Sequence, residues 1–391
     1  MKLLDMRWHK GRNSQEGPIM PDYIEPKPIT VAGLTVRTVM APWDDFTGAY
    51  MDLLQSAKES IYIMTFSATY IPMIDLLIAK QQSGVQVHLL QDYQQYAKLP
   101  LLQQQMDRLF KAGVDVVIGT APILPNTPEP RNQTGKPFPD PAGWALHSKV
   151  ILVDGTWISY GSGNQSYGAA KECNSLAIMQ SVDLVTQFQF QFDEIRTWIL
   201  ANQPHMQPGQ MPPEPSPNGD DADETTSCPG YQQGDGVVHE NVTVTSYLSP
   251  EWTLGNAFLG LIEKTTRSLH LWVFEITHKK AMAAILQKAQ KGMPVYLIQD
   301  KASYEEFSDI KAWVDQLQAA GAQVTIRSSP CQNTFMHLKC AVFDEASVWD
   351  GSWNPTYSGL WETNTGALYQ SKDLAAYYID MFNKLKAEPE A

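Results

Sequence analysis

The sequence predicts an α/β protein with two similar domains, each built on a mostly parallel sheet flanked by helices. Residues 60–92 align without gaps with residues 268–300 at a constant offset of 208, and ten of these 33 positions are identical. In both copies short apolar runs alternate with helical stretches, an order typical of parallel strands joined by helices. A second set of matched positions follows at an offset of 190 and carries polar motifs. These observations together indicate an internal duplication.

Each copy follows one plan. In the first, the apolar run at residues 61–64 predicts a strand, a helical stretch follows, and Gly84 leads into a second strand over 85–90. Another helix and a strand over 114–118 complete the unit. The second copy repeats this plan with strands expected at 269–272, 293–298 and 324–327.

The repeats also suggest where the domains begin and end. We expect an N-terminal extension over 1–34, a first domain over 35–202, a linker over 203–236 and a second domain over 237–391. The linker holds seven prolines, five glycines, six acidic residues and no Lys or Arg, which favours a poorly ordered connection. The first copy has 18 extra residues within 121–146, where seven of 26 residues are proline. This insertion is either a surface excursion or a lid over a binding site.

Composition narrows the choice of function. The 391 residues are 43% hydrophobic, which suffices for two cores, and the net charge is −13. Nucleic-acid binders usually show a basic surplus, so nucleic acid is the less favoured partner. The sequence contains no apolar run of about 18 residues that would form a transmembrane helix. The N-terminus lacks the apolar core of a signal peptide, so the protein is cytoplasmic, secreted without a leader, or a mature form whose leader was removed.

Four cysteines are too few and too scattered for a disulfide framework, although individual pairs remain open.

The strongest signal is a set of polar residues at equal spacing in both copies. One His is followed after 2, 7, 15, 17 and 25 residues by Lys, Asp, Ser, Asn and Glu. The members are His147, Lys149, Asp154, Ser162, Asn164 and Glu172 in the first copy, and His337, Lys339, Asp344, Ser352, Asn354 and Glu362 in the second. Residues two apart on a strand share a face, so each His projects with its Lys. The Asp lies an odd number of residues away, and we expect a structural role for it.

These residue types suit the cleavage of a phosphodiester. A neutral His can attack phosphorus, and a second His can protonate the departing alkoxide. Lys and Asn side chains can hold the charged phosphate oxygens. Since one copy supplies only one His, the two copies must meet face to face. Two His and two Glu could instead bind zinc, but the neighbouring ammonium groups oppose a cation, so we expect neither a metal nor a cofactor.

The duplicated HxKxxxxD and GSxN motifs resemble those of the phospholipase D superfamily, over residues 35–202 and 240–387. The resemblance implies two α/β domains packed as a pseudo-two-fold dimer, with one shared active site and a functional monomer. It makes His147 the nucleophile and His337 the acid. It implies phosphate binding by Lys149, Lys339, Asn164 and Asn354, supporting hydrogen bonds from Ser162 and Ser352, orientation of the histidines by Glu172 and Glu362, and a structural place for Asp154 and Asp344.

The substrate is less constrained than the reaction. We expect a phospholipase D or phosphatidyltransferase that hydrolyses or transfers glycerophospholipids through a phosphohistidine, with peripheral membrane contact. The motifs are flanked by aromatic residues that form either core or an apolar substrate wall: Trp144, Trp353, Tyr357 and Trp361. One alternative is a nuclease of the same superfamily that acts on DNA or RNA. Another is a binding or scaffolding protein on the same fold.

Overall fold

The computed structural model of the protein describes residues 27–123, 144–204, 208, 228, 231, 233–250 and 252–389. Within these residues, both halves of the chain have the same order of elements. The first half contains β1 Ile29–Ala41, α1 Phe46–Ser56, β2 Ser60–Thr65, α2 Ile71–Gln82, β3 Gln86–Asp92, α3 Tyr93–Lys98, α4 Pro100–Lys111, β4 Asp115–Gly119, β5 Val150–Val153, β6 Trp157–Gly161, β7 Asn174–Gln180 and α5 Val182–Asn202. The second contains β8 Val237–Leu248, α6 Trp252–Lys264, β9 Leu269–Val273, α7 Lys279–Gln290, β10 Val295–Asp300, α8 Lys301–Glu306, α9 Ser308–Ala319, β11 Gln323–Arg327, β12 Lys339–Phe343, β13 Ser347–Gly351, β14 Thr365–Gln370 and α10 Lys372–Ala387.

All these strands form one continuous 14-stranded sheet in the order β11-β10-β9-β12-β13-β14-β8-β1-β7-β6-β5-β2-β3-β4. The order reads the same from either edge once each strand is replaced by its equivalent in the other half. The halves join through β1 and β8, which pair antiparallel from Ile29 opposite Ser246 to Thr38 opposite Val237. The predicted α/β class with two similar halves is therefore confirmed, and the pseudo-two-fold relation passes between β1 and β8.

The sheet is mixed rather than mostly parallel. Only β2, β3 and β4 in the first half, and β9, β10 and β11 in the second, pair in parallel. The next strands reverse direction at each step, and β5 pairs antiparallel with both β2 and β6. The physical reason is the connection length: β5 and β6 are joined by a turn at residues 154–156, which is too short for a crossover helix.

Helices cover the sheet and enclose two apolar cores. One core runs through both halves and includes Phe192 of α5 and Phe382 of α10. The other packs α1, α2 and α4 against the first half of the sheet. Of the aromatic residues beside the motifs, three are core residues, namely Trp144, Trp353 and Trp361, whereas Tyr357 is 49% exposed. The expectation of core packing thus holds for the tryptophans.

The segments between the expected domains are partly described. Most of the insertion expected within 121–146 lies outside the described residues, as do most of the linker and residues 1–26. β1 begins at Ile29, ahead of residue 35, where we place the start of the first domain. Two of the described linker residues are anchored to the rest of the chain: Cys228 forms a disulfide with Cys331, and Gly234 exchanges backbone hydrogen bonds with residues 43 and 45.

Candidate active site

The two His-Lys pairs lie at equivalent ends of β5 and β12. Lys149 immediately precedes β5, and Lys339 is the first residue of β12. Both lysine side chains are 2% exposed, and each ammonium donates back to its own histidine's carbonyl, at 2.7 Å for Lys149 Nζ to His147 O and 2.5 Å for Lys339 Nζ to His337 O. Each Lys is therefore fixed beside its His, on the same side of the strand.

Each half of the chain completes the site of the other. His147 Nδ1 is 2.8 Å from Asn364 Oδ1, and His337 Nδ1 is 3.0 Å from Asn174 Oδ1. Backbone bonds across the same boundary hold the segments together, from Thr363 N to Ala145 O and from Cys173 N to Phe335 O, both at 3.0 Å. The reciprocal His–Asn pairs bring one His and one Lys from each half into a single buried site.

The asparagines determine which nitrogen of each imidazole carries the proton. Asn364 Nδ2 donates to Gly359 O at 3.0 Å and to Glu362 Oε2 at 3.2 Å, which turns Oδ1 toward His147. Asn174 is held in the same way by Ala169 O and Glu172 Oε2, both at 2.9 Å. An amide oxygen only accepts, so each His must donate from Nδ1. In a neutral ring, Nε2 then keeps a free lone pair.

The direct partners of the histidines differ from those we expected. We expected Glu172 and Glu362 to orient them, but each carboxylate accepts a hydrogen bond from the asparagine that contacts the histidine. Glu362 Oε2 is 4.0 Å from His147 Nδ1, and Glu172 Oε2 is 3.8 Å from His337 Nδ1. The sequence analysis did not identify Asn174 and Asn364. Their equal spacing was a usable signal, since each follows the His of its own half by 27 residues.

The serines and asparagines of the second motif flank this network. Ser162 Oγ donates to Asn174 Oδ1 and Ser352 Oγ donates to Asn364 Oδ1, both at 3.0 Å. Asn164 and Asn354 are partly buried, and their Oδ1 atoms accept no hydrogen bond from the residues that the structure describes. The serines thus support the amides that hold the histidines, while the two motif asparagines each still have an unused hydrogen-bond acceptor.

A phenylalanine from each half forms a wall beside the His-Lys pair. The ring of Phe66 lies 4.9 Å from the His147 ring and 4.9 Å from Lys149 Nζ. Phe274 stands in the same relation, 4.9 Å from the His337 ring and 5.0 Å from Lys339 Nζ. The repeat comparison identifies these two residues as identical positions, and the ring faces attract the ammonium groups while excluding water.

Two buried aspartates anchor the segments that lead into the histidines. Asp92 Oδ2 accepts from Leu146 N at 2.8 Å, and Asp300 Oδ2 accepts from Met336 N at 3.0 Å. Their other oxygens cap α3 and α8. Burial raises the pKa of Asp92 to about 7, against the effect of its backbone hydrogen bonds. These aspartates end the identical Gln-Asp pairs of the repeat, and they fix the residue before each His.

The site disfavours positive charge while it is empty. Burial lowers the pKa of His147 well below its usual value, and the nearby charge of Lys149 lowers it further. Burial and both lysines act on the pKa of His337 in the same direction. Burial also lowers the pKa of Lys339 to about 7 and, together with the charge of Lys339, holds the pKa of Lys149 well below its usual range. An anion placed among these four groups would oppose these shifts, because it stabilises positive charge nearby.

The aspartates of the first motif lie elsewhere. Asp154 accepts three backbone N–H groups, from Lys58, Glu59 and Ser60, at 2.8–3.2 Å. Asp344 does the same for residues 266–268. Both stand in the turn that follows β5 or β12, at the opposite end of the strand from the His-Lys pair. The structure therefore does not bring them to the site.

In the part of the chain that the structure describes, no three His, Cys, Asp or Glu side chains meet in an arrangement that could hold a metal ion. Among the same residues, no helix has the length and hydrophobicity needed to span a membrane.

Comparisons with known proteins extend these observations. A family model described as "Cardiolipin synthase, PLD-like domain" matches residues 50–196 and 258–386. No curated protein sequence matches the chain. Among solved structures, phosphatidylserine synthase from Haemophilus influenzae is similar, with a TM-score of 0.64, 12% identity, and coverage of 92% of this chain and 88% of that one. Polyphosphate kinase from Porphyromonas gingivalis has a TM-score of 0.54 at 14% identity, covering 89% of this chain and 50% of its own. Nuc from Salmonella typhimurium covers 39% of this chain and 100% of its own, with 17% identity and a TM-score of 0.35.

Proposed function

The chain belongs to the family of phospholipase D-like domains, and on that premise we propose that it cleaves or transfers the phosphodiester of glycerophospholipids through a covalent phosphohistidine. The observation that carries the proposal is the pair of crossed hydrogen bonds, His147 to Asn364 and His337 to Asn174. They hold one imidazole from each half in a shared buried site with its free nitrogen available. Two lysines with lowered pKa values stand beside them.

In the first step, Nε2 of His147 attacks phosphorus and the bond from phosphorus to the leaving alcohol oxygen breaks. His337 gives its Nε2 proton to that oxygen, so the alcohol leaves neutral. Lys149 and Lys339, with the amides of Asn164 and Asn354, bind the non-bridging oxygens. The Lys and Asn groups stabilise the charge that develops on these oxygens in the transition state.

In the second step, the now neutral His337 takes a proton from water or from a second alcohol. The oxygen of that molecule attacks phosphorus, and the bond from phosphorus to His147 breaks. Water yields hydrolysis and an alcohol yields transfer, so one site supports both outcomes.

The two imidazoles must begin in opposite protonation states, and substrate binding can create that difference. In the empty site both histidines have lowered pKa values, so both favour the neutral form. A bound phosphodiester anion stabilises positive charge in the site. His337 then takes up a proton, while His147, the nucleophile, stays neutral. Binding and proton uptake are therefore coupled.

The description of the matched family as cardiolipin synthase supports a phospholipid as the substrate. The acidic balance of the chain, with a net charge of −13, supports the same choice over a polyanionic nucleic acid.

The direct test offers the purified full chain both substrate classes in the presence of EDTA. Vesicles of mixed glycerophospholipids, with and without an added primary alcohol, are followed by mass spectrometry for phosphatidic acid and phosphatidyl alcohol. Single- and double-stranded DNA are followed on gels. We expect lipid turnover that disappears in both His147→Ala and His337→Ala proteins. DNA cleavage with untouched lipid would replace the proposal with a nuclease, and inertness toward both would replace it with a binding protein.

A further inference from the structure

A buried aspartate of the second half forms hydrogen bonds across the boundary between the halves. Asp350 lies near the end of β13 and is 1% exposed. Its Oδ1 accepts from Ser175 Oγ of the first half at 2.7 Å, from Gly351 N at 2.6 Å and from Cys340 Sγ at 3.3 Å. Tyr378 OH donates to its Oδ2 at 2.7 Å. No Lys, Arg or His of the described chain forms an ion pair with Asp350, so neutral donors satisfy this carboxyl.

The hydroxyl that Asp350 binds belongs to the residue after Asn174. Since Asn174 Oδ1 accepts from His337 Nδ1 at 3.0 Å, His337 and Asp350 of the second half contact consecutive residues of the first. Ser162 links these two contacts, because its Oγ accepts from Ser175 N at 2.9 Å and donates to Asn174 Oδ1 at 3.0 Å. The three first-half residues are at most 1% exposed. A buried hydrogen-bond network therefore connects Asp350 to the amide that holds His337.

The surroundings of the other histidine differ at this position. At the repeat offset of 190, Asp350 corresponds to Tyr160 and Ser175 corresponds to Thr365. Thr365 Oγ1 contacts Ser352, at 3.3 Å from Oγ and 3.4 Å from N, and Tyr160 packs in the apolar core. The duplicated scaffold therefore does not require an acid here, and the carboxyl supports one histidine of the pair.

The bond between Asp350 and Ser175 does not depend on the charge of the carboxyl. Burial raises the pKa of Asp350, and the hydrogen bonds that it accepts oppose this shift. A backbone N–H can only donate, so the oxygen that faces Gly351 N accepts in both the ionised and the protonated form. An amide oxygen accepts in the same way, so Asn in place of Asp preserves the bond.

We propose that Asp350 is a positioning residue that holds His337 where it can protonate the leaving alcohol. This inference rests on the proposed function, and it gives a structural reason for the unequal roles of two histidines with equal motifs. Proton transfer requires the imidazole to lie within hydrogen-bond reach of the alcohol oxygen, so a shift of Asn174 slows that transfer. His147 is held through Asn364 instead, and its attack on phosphorus should not depend on Asp350.

The test measures two rates of the full chain: release of the alcohol from glycerophosphoethanol, and the burst of p-nitrophenolate from bis-p-nitrophenyl phosphate. Only the alkyl leaving group needs a proton from His337. Asp350→Ala should slow alcohol release by about 10- to 100-fold, the range for outer partners that orient a histidine, and the burst by less than about threefold. Ser175→Ala should have the same effect. The double variant should lose no more than either single variant, because both substitutions break one bond.

Two control variants separate this role from a general effect on folding. Asp350→Asn keeps the acceptor and should restore alcohol release to within about threefold of the wild type. Tyr378→Phe removes the donor to the other oxygen of the same carboxyl, and should leave both rates within about twofold. Thermal unfolding shows which variants are folded, and Ser175→Ala, the smaller change, decides if Asp350→Ala does not fold.

The outcomes distinguish the inference from the proposed function. If the wild type turns over neither diester, the proposed function itself fails. If the wild type is active and the folded Asp350→Ala and Ser175→Ala proteins release alcohol at its rate, the role of Asp350 is refuted. Equal losses of both rates, or a failure of Asp350→Asn to restore alcohol release, would refute it as well.

Discussion

The substitution Asn364→Leu tests whether an amide, rather than a carboxylate, positions the attacking imidazole. In the native protein Asn364 Oδ1 accepts from His147 Nδ1 at 2.8 Å and from Ser352 Oγ at 3.0 Å, while Nδ2 donates to Gly359 O at 3.0 Å and Glu362 Oε2 at 3.2 Å. Leucine fills a similar volume but makes none of these bonds. His147 then loses the bond that holds its proton on Nδ1.

The magnitude follows from these four contacts. Three of the four partners are buried, namely His147, Ser352 and Gly359. Each loses a hydrogen bond at a cost of roughly 1–3 kcal/mol, so we expect the free energy of unfolding to fall by at least about 3 kcal/mol. Outer partners that orient a histidine in metal sites typically contribute about 10- to 100-fold, and we expect a similar fall in kcat. The loss should be smaller than in His147→Ala, because the nucleophile is still present.

The assay uses two leaving groups and the matched variant Asn174→Leu, which removes the equivalent bond from His337. An alkoxide needs a proton as it departs, whereas p-nitrophenolate does not. Asn364→Leu should therefore slow both substrates. Asn174→Leu should slow release of the alkyl alcohol by about 10- to 100-fold but slow the burst of p-nitrophenolate, which reports the first step alone, by less than about fivefold.

Thermal unfolding of both variants, with rates measured well below their midpoints, separates folding from catalysis. If folded Asn364→Leu retained more than half of the wild-type kcat, the amide would not position His147. Equal losses on both substrates in both variants would refute the division of roles between the histidines.

Three further predictions concern charge, stability and thiols. Binding of tungstate, an anion that mimics phosphate, should weaken by up to about tenfold per pH unit above pH 7, because Lys339 loses its proton near that value, and calorimetry in two buffers should show proton uptake; an affinity independent of pH would contradict the lowered lysine pKa. Asp154→Ala should lower the free energy of unfolding by about 2–4 kcal/mol while the folded protein keeps its kcat. Since backbone hydrogen bonds hold the pKa of Asp154 below its usual value despite some burial, its contribution is complete above that usual value and is lost as the pH falls through the lowered one; denaturant titrations of both proteins should converge in acid. Thiol titration of the unreduced, denatured protein should find two thiols, Cys173 and Cys340, and four after reduction; four from the start would contradict the Cys228–Cys331 disulfide.

The parts of this structure that follow from periodicity were visible in the sequence. Equal spacing in two copies identified the repeat and the His-Lys-Asn sets, and the odd separation of Asp154 from Lys149 predicted that it would lie apart. The parts that depend on pairing between distant segments were not. The parallel expectation for the sheet was wrong beyond three strands of each half, because β5, β6 and β7 alternate in direction and only three residues join β5 to β6.

The contacts between halves were the hardest to foresee. Asn364 serves a histidine 217 residues away, and the repeat relates it to Asn174 rather than to its partner His147. Spacing within one half cannot show which half a side chain will complete. The Cys228–Cys331 disulfide, whose cysteines are 103 residues apart, could not be predicted either, since neither spacing nor composition favoured that pair.

The covalent phosphohistidine is the central claim, and trapping it is the most direct measurement. The full chain is mixed with a diester labelled at phosphorus, stopped within the first turnover in alkaline denaturant because phosphohistidine is labile in acid, and digested for peptide mapping. We predict label on the peptide that contains His147 and none on the peptide that contains His337. Label confined to His337 would reverse the roles of the two histidines. Turnover without label on either histidine would contradict the covalent mechanism.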